Sequence, residues 1–189
     1  NGNSLTGTVT VLAGVPAKIA VQSTTNFASA SWRTYNASFT ASIGTSDGAY
    51  PVYVGLKGMA DTSEVTWAGY HLTRDTIAPL MVITNPLAGV VFQPMLQLQG
   101  YSPEALASVR YDLSNTNGSL TNMEGYVVKQ FVDTNTFEIM TNWFACVDLN
   151  LAAGTNTVTL KATDRAGNVT TTNLNYVFVY PTNAPVLSL

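Results

Sequence analysis

The sequence predicts an all-β fold: two β-sandwiches in series, followed by the first strand of a third unit. Three observations predict it. Apolar and polar residues alternate in short runs, with Gly, Asn, Asp or Pro between the runs. Charged residues make up 10% of the 189, against a typical share of about 25%. The polar remainder is mostly Thr, Asn, Ser and Gly, which suit strand faces and turns better than helices. No stretch keeps a helical period, and only Pro103 to Ser108 tolerates a single helical turn. Nine Tyr, seven Phe and three Trp supply core material that a disordered chain lacks.

The elements follow from that alternation. Thr8 to Leu12 alternates Thr and Val as a half-buried strand does, and Lys18 to Gln22 resumes after Pro16. Trp32, Tyr35 and Phe39 follow an Asn-, Ala- and Ser-rich stretch. Tyr50 to Leu56 places Val52, Val54 and Leu56 on one face and Tyr53 on the other, and Val65, Trp67, His71 and Leu72 close the first set. The extended Asp75-Thr76-Ile77-Ala78-Pro79 segment reads as a joint between domains. The second set comprises Leu80 to Thr84, Gln93 to Leu98, Val109 to Leu113, Tyr126 to Val132, Thr136 to Met140, Trp143 to Leu149, Thr155 to Ala162 and Asn173 to Tyr180. Asn117-Gly118 marks a hairpin. The divisions are therefore 1–78, 79–181 and 182–189. Ala184-Pro185-Val186-Leu187-Ser188-Leu189 echoes Ala78-Pro79-Leu80-Met81-Val82-Ile83, a period of about 106 residues.

On these residues the chain resembles a known family. Pro86, Gly100 and the run from Leu149 to Asn168, with its Gly-Thr-Asn turn, alternating strand and Asp-x-Ala-Gly-Asn turn, resemble bacterial immunoglobulin-like tandem repeats. These include the accessory sandwich modules of some glycoside hydrolases. The first unit is similar to a companion type in Trp32, Tyr35, Asp47-Gly48, the strand from Tyr50 to Leu56 and the 75–79 joint. It departs at Gly58-Met59-Ala60-Asp61-Thr62, where Asp-x-Ala-Gly-Asn is expected. The resemblance implies two immunoglobulin-like sandwiches in an extracellular or cell-surface protein. The residues alone explain the signature turn: Asp164 accepts backbone N–H groups, Gly167 takes positive φ, and Asn168 tolerates a left-handed position.

Composition excludes several function classes. Eight Lys and Arg are scattered singly in a chain of net charge -3, with no stripe for a phosphate backbone or anionic lipid. No apolar run spans a bilayer. The chain opens on Asn1 without Met, which reads as a processed protein or an excised fragment. Hydrolytic chemistry has poor material: one His, His71, and one Cys, Cys146, fall in different units, without a nucleophile elbow or zinc-binding helix motif. Cys146 reads as a buried small hydrophobe. The carboxylate pairs Asp133/Glu138 and Glu104/Asp112 read as solvated charges, because nothing around them forms a cleft.

Binding is the better-motivated expectation. Calcium takes hard oxygen ligands from loops, so Asp75 at the joint and Asp164 at a turn are the candidate ligands, with Asp47 and Asp61 at other strand ends. No other cofactor is implied. Trp32, Trp67 and Trp143 are expected in the cores; two of them coplanar on a surface would instead make a sugar platform. Tyr101 and Tyr180 sit near a turn and a terminus and are freer to be exposed. Val186, Leu187 and Leu189 form an apolar strand that either opens a third repeat or pairs with another copy. The expected protein is thus a non-catalytic structural or adhesive module, its partners other copies, neighbouring repeats or polysaccharide. Its rival is a carbohydrate-binding accessory module of a larger secreted enzyme.

Overall fold

The computed structural model describes residues 3–60, 64–135, 137 and 139–181, and it is made of strands apart from one 3-10 turn at Phe27–Ser29. Two compact units, Asn1–Thr76 and Ile77–Leu189, divide the chain. Residues 182–189, expected to open a third unit or to pair with another copy, lie outside the described residues.

Among the described residues unit 1 has six strands: β1 (Ser4–Thr8), β2 (Lys18–Gln22), β3 (Arg33–Thr34), β4 (Ser38–Ser42), β5 (Gly48–Lys57) and β6 (Val65–Arg74). They form a two-stranded sheet, β1-β4, and a four-stranded sheet, β3-β2-β5-β6, all antiparallel. The alternation in β5 works as its sequence dictates: Val52 and Val54 point inward with Ile19 and Ala41, and Tyr53 points out. The first strand differs from expectation. It is Ser4–Thr8 rather than Thr8 to Leu12, because β4 supplies partners only from Ser42 back to Ser38. One further bond, Val9 N to Ala37 O at 2.8 Å, ends that ladder, and Leu12 and Val15 are exposed.

Among its described residues unit 2 has eight strands: β7 (Val82–Asn85), β8 (Gly89–Val91), β9 (Met95–Ser102), β10 (Leu106–Asn115), β11 (Gly118–Val132), β12 (Ile139–Asn150), β13 (Gly154–Asp164) and β14 (Val169–Phe178). Their order is β7-β9-β12-β11-β10-β13-β14-β8, with only the β14–β8 pair parallel. β11 belongs to two ladders. Its first half pairs with β10 up to Gly125, and its second half pairs with β12 from Tyr126 onward. Strands that change ladder in this way make the corners of sandwiches. Between the two ladders lies a core that includes Leu98, Val109, Phe144, Cys146, Leu160 and Tyr176.

Two expectations in this unit are corrected. The helical turn at Pro103 to Ser108 does not form, since Leu106 already starts β10 and is buried. The two short strands expected at Thr136 to Met140 and Trp143 to Leu149 are one strand from Ile139 onward; residues 136 and 138 lie outside the described residues. Asn142 reads as a break but is buried, because its polar atoms find partners. Its Nδ2 donates to Glu104 O at 3.0 Å and its Oδ1 accepts from Gln130 Nε2 at 2.9 Å.

The turn between β12 and β13 is tied by buried Asn156. Its Oδ1 accepts the Ala152 N–H at 2.8 Å, and its Nδ2 donates to the carbonyls of Ala152 and Gly154, each at 2.9 Å. Asn156→Ala leaves those buried backbone groups without partners, at about 1–3 kcal/mol for an unsatisfied group. Chemical denaturation of the variant is expected to show unit 2 less stable by about 2–4 kcal/mol; an unchanged midpoint would contradict the role given to Asn156.

Candidate interaction site

The Asp112, Asp47 and Asp133 carboxylates are engaged in holding the fold. His71 is exposed on β6 opposite Pro51. The Asp112 carboxylate accepts the Asn122 N–H at 2.7 Å and meets Lys161 Nζ at 2.6 Å; the backbone bond first, and then the lysine, hold its pKa below the ordinary value. Asp47 accepts the Thr76 N–H at 3.1 Å and pairs with Arg74 at 3.2 Å. Asp133 accepts the Asn135 N–H at 2.7 Å, and its expected partner Glu138 lies outside the described residues.

Asp164 does what its turn requires. Its Oδ1 accepts the Asn168 N–H and its Oδ2 accepts Asn168 Nδ2, both at 2.9 Å, while Gly167 takes a φ of 90°. Asn168 does not share the positive φ expected of it. The Asp164 carboxylate, on a residue only 2% exposed, also lies within 4.8 Å of the Glu104 carboxylate. Glu104 is a ligand candidate that the sequence did not single out, since about 60 residues separate the two; it accepts the Leu80 N–H at 3.2 Å. Two carboxylates supply part of the six to eight oxygens that calcium takes. Asp75, the other sequence candidate, is half-buried near the end of unit 1. Asp61 lies outside the described residues.

The tryptophans are not core residues. Trp32, Trp67 and Trp143 are all half-buried. Pairing sets the phase: with Val52 and Val54 inward, Trp67 lies outward, its ring over Gly55 on the neighbouring strand, and Tyr53 lies over Gly69. Phe27 stacks on Trp67 with centroids 4.4 Å apart and planes 24° apart, and Trp32 tilts against Trp67 at 57°. Lys57 Nζ sits 5.0 Å from the Trp32 ring. These rings form a half-buried cluster, not the coplanar pair of tryptophans that a flat sugar platform needs. In unit 2, Trp143 and Tyr101 pair on the outer face with centroids 5.2 Å apart. Tyr180 is exposed.

A recess opens into the interior of unit 1. A trough of about 880 Å³ is floored by Val54 and Leu56 of β5 and by Thr66, Ala68 and Tyr70 of β6; Gly7, Thr8 and the segment to Pro16 wall it. Tyr70, at an inward position of β6, is 57% exposed. The two-stranded sheet thus leaves part of the four-stranded sheet uncovered. Among the described residues β1 pairs only with β4, and β6 only with β5, so each presents one unpaired backbone edge.

No family model matches the sequence, and no curated protein matches it. Among solved structures, the chain is similar to one described as fibronectin(III)-like modules of Clostridium thermocellum CbhA. The match has a TM-score of 0.49 and 12% identity, covering 100% of this chain and 92% of that one. The all-β fold rests on the chain's own strand order. No helix among the described residues is long and apolar enough to cross a membrane.

Cys146 is a free thiol, fully buried, and burial pushes its pKa up to about 12. Burial likewise raises Tyr176, whose Oη donates to Pro86 O at 2.9 Å, to about 12. In the unfolded chain both groups ionise near their ordinary values of 9.0 and 10.0. Above those values the unfolded state holds fewer protons than the folded one, so stability falls as pH rises from about 9 toward 12. Two outcomes are expected. A thiol reagent labels Cys146 only at the rate of unfolding, and the denaturation midpoint of unit 2 drops with alkaline pH. Rapid labelling of the native protein at neutral pH would refute the burial.

Proposed function

We propose that the chain is a non-catalytic structural and adhesive module of a secreted or cell-surface bacterial protein, and that copies of it assemble into an extracellular filament by strand exchange. The single observation that carries this reading is the open side of unit 1, where, among the described residues, an apolar interior and two strand edges have no covering strand. An added strand would complete the ladder with main-chain hydrogen bonds and bury its alternate side chains. Two further features support the reading. A surface of Thr and Asn with few charges favours close lateral packing over electrostatic steering, and the Asp164, Asp112 and Cys146 side chains are engaged in a turn, an ion pair and the core.

Sedimentation of the 189-residue chain is the test. The weight-average mass is expected to rise with concentration and to change little between low and high salt, because apolar burial is not screened. A constant monomer mass would reject the filament.

A second reading, a carbohydrate-binding accessory module, is favoured by the half-exposed cluster of Phe27, Tyr53, Trp67 and Trp32 beside Lys57. Affinity electrophoresis against a panel of polysaccharides tests it: Trp32→Ala is expected to abolish retardation if that face binds sugar, and no retardation of the parent chain would remove the reading. Calcium at Asp75 or Asp164 is a separate proposal, which calcium titration of the unfolding midpoint decides. A rise at millimolar calcium, the range of extracellular modules, supports it, and no rise rejects it.

A further inference from the structure

We infer that the segment Ala184 to Leu189 of one copy adds to β1 of a second copy, antiparallel, with Leu189 opposite Gly7 and Ser188 opposite Thr8, filling the trough of unit 1. This rests on the filament reading and specifies its contact.

The strand order β9-β12-β11-β10-β13-β14 of unit 2 recurs in unit 1 as β1-β4 and β3-β2-β5-β6. One packing detail fixes the register of the match. In unit 2, Phe144 lies opposite Gly100, and a Cβ on that glycine would collide with the ring; in unit 1, Phe39 lies opposite Gly7, with the same collision. Leu98 and Leu5 stand two residues before these glycines, and their cross-strand partners, Cys146 and Ala41, are both small and buried. Gly7 therefore corresponds to Gly100, and Thr8 to Tyr101.

Among the described residues, unit 2 has a strand pair at its margins that unit 1 does not. β7 closes the edge of β9, and β8 closes the edge of β14. The corresponding edges in unit 1 are the open edges of β1 and β6, and the trough lies between them. In unit 2, Val82 pairs with Tyr101 and Ile83 with Gly100, while Met81 and Ile83 pack on the core.

The sequence that fills this place in unit 2 occurs once more in the chain. Ala184-Pro185-Val186-Leu187-Ser188-Leu189 matches Ala78-Pro79-Leu80-Met81-Val82-Ile83 position for position: Ala and Pro lead, Leu187 and Leu189 fall at the core-facing places of Met81 and Ile83, and Ser188 falls at the outward place of Val82. In this register Leu189 and Ser188 lie opposite Gly7 and Thr8 of β1, and the residues before them run beside the segment from Val9 that walls the trough. The occupant is thus a second copy of this chain, presenting a named segment in a defined register.

The experiment is a complementation. Leu187→Asp with Leu189→Asp spoils the added segment; Ala68→Glu, at an exposed position of β6, spoils the trough without touching the buried core. Each variant, checked by circular dichroism for its fold, is expected to self-associate at least about tenfold more weakly than the parent, since each buries an unpaired charge in the contact. Mixed, the two are expected to form a heterodimer that grows no further, one supplying the trough and the other the segment. In the parent background, Thr8→Cys with Ser188→Cys is expected to oxidise to a ladder of covalent oligomers, whereas Thr10→Cys with Ser188→Cys is not, because two residues along a strand exceed disulfide reach. A parent chain that is monomeric at every concentration overturns both this contact and the filament reading. Association that survives in both variants overturns this contact and leaves the filament. A Thr8–Ser188 disulfide closed within one chain overturns the second copy as occupant.

Discussion

Side chains at every second position of facing strands, packed into a common interior, hold each unit. With a single cysteine in the chain, no covalent bridge within it supplements that packing. Everything else follows from keeping the inward series continuous across neighbouring strands. Where a long ring must lie across the adjacent strand, as Phe144 and Phe39 do, the residue beneath is glycine. Where a polar side chain falls on the inward series, as Asn142 and Asn156 do, each of its groups is bonded to main chain or to another amide. The thiol of Cys146 belongs to the same logic, as a small apolar filler rather than a reactive group.

The same constraint separates the two units. In unit 2, fifteen buried residues form one cluster, whereas the described residues of unit 1 give a cluster of four, ringed by partly buried Val9, Val21, Phe39 and Leu56. The difference does not come from poorer residues. β5 and β6 of unit 1 carry Val, Leu and Tyr at inward places, but among the described residues Ala68 and Tyr70 stay exposed. A sandwich whose sheets differ in width keeps its fold on the covered half and leaves the other half available.

Much of the fold was legible, and the failures have a common cause. The strand at Lys18 to Gln22, the inward Val52 and Val54, the hairpin at Asn117-Gly118 and the Asp164 turn are local patterns, and each forms as its residues dictate. The misplaced features depend on partners far along the chain. Thr8 to Leu12 alternates as well as any strand, yet β4 ends at Ser38 and leaves most of it unpaired. Trp67 and Trp143 are large and were expected inside, but their phase is set by the inward residues of neighbouring strands. The proximity of Glu104 to Asp164 had no local signal. The correspondence of Gly7 with Gly100 was present as Leu-x-Gly in both places, too short a motif to carry weight until pairing identified the ring on each glycine.

β11 has a mechanical consequence. Because one continuous strand serves both ladders of unit 2, the halves of that sandwich are not separate plates that can slide apart; they are pages bound along a spine. A pull that peels β12 away from β9 still leaves β12 fastened to the strand that holds β10. Opening of that outer ladder therefore leaves the fold line through β11 intact.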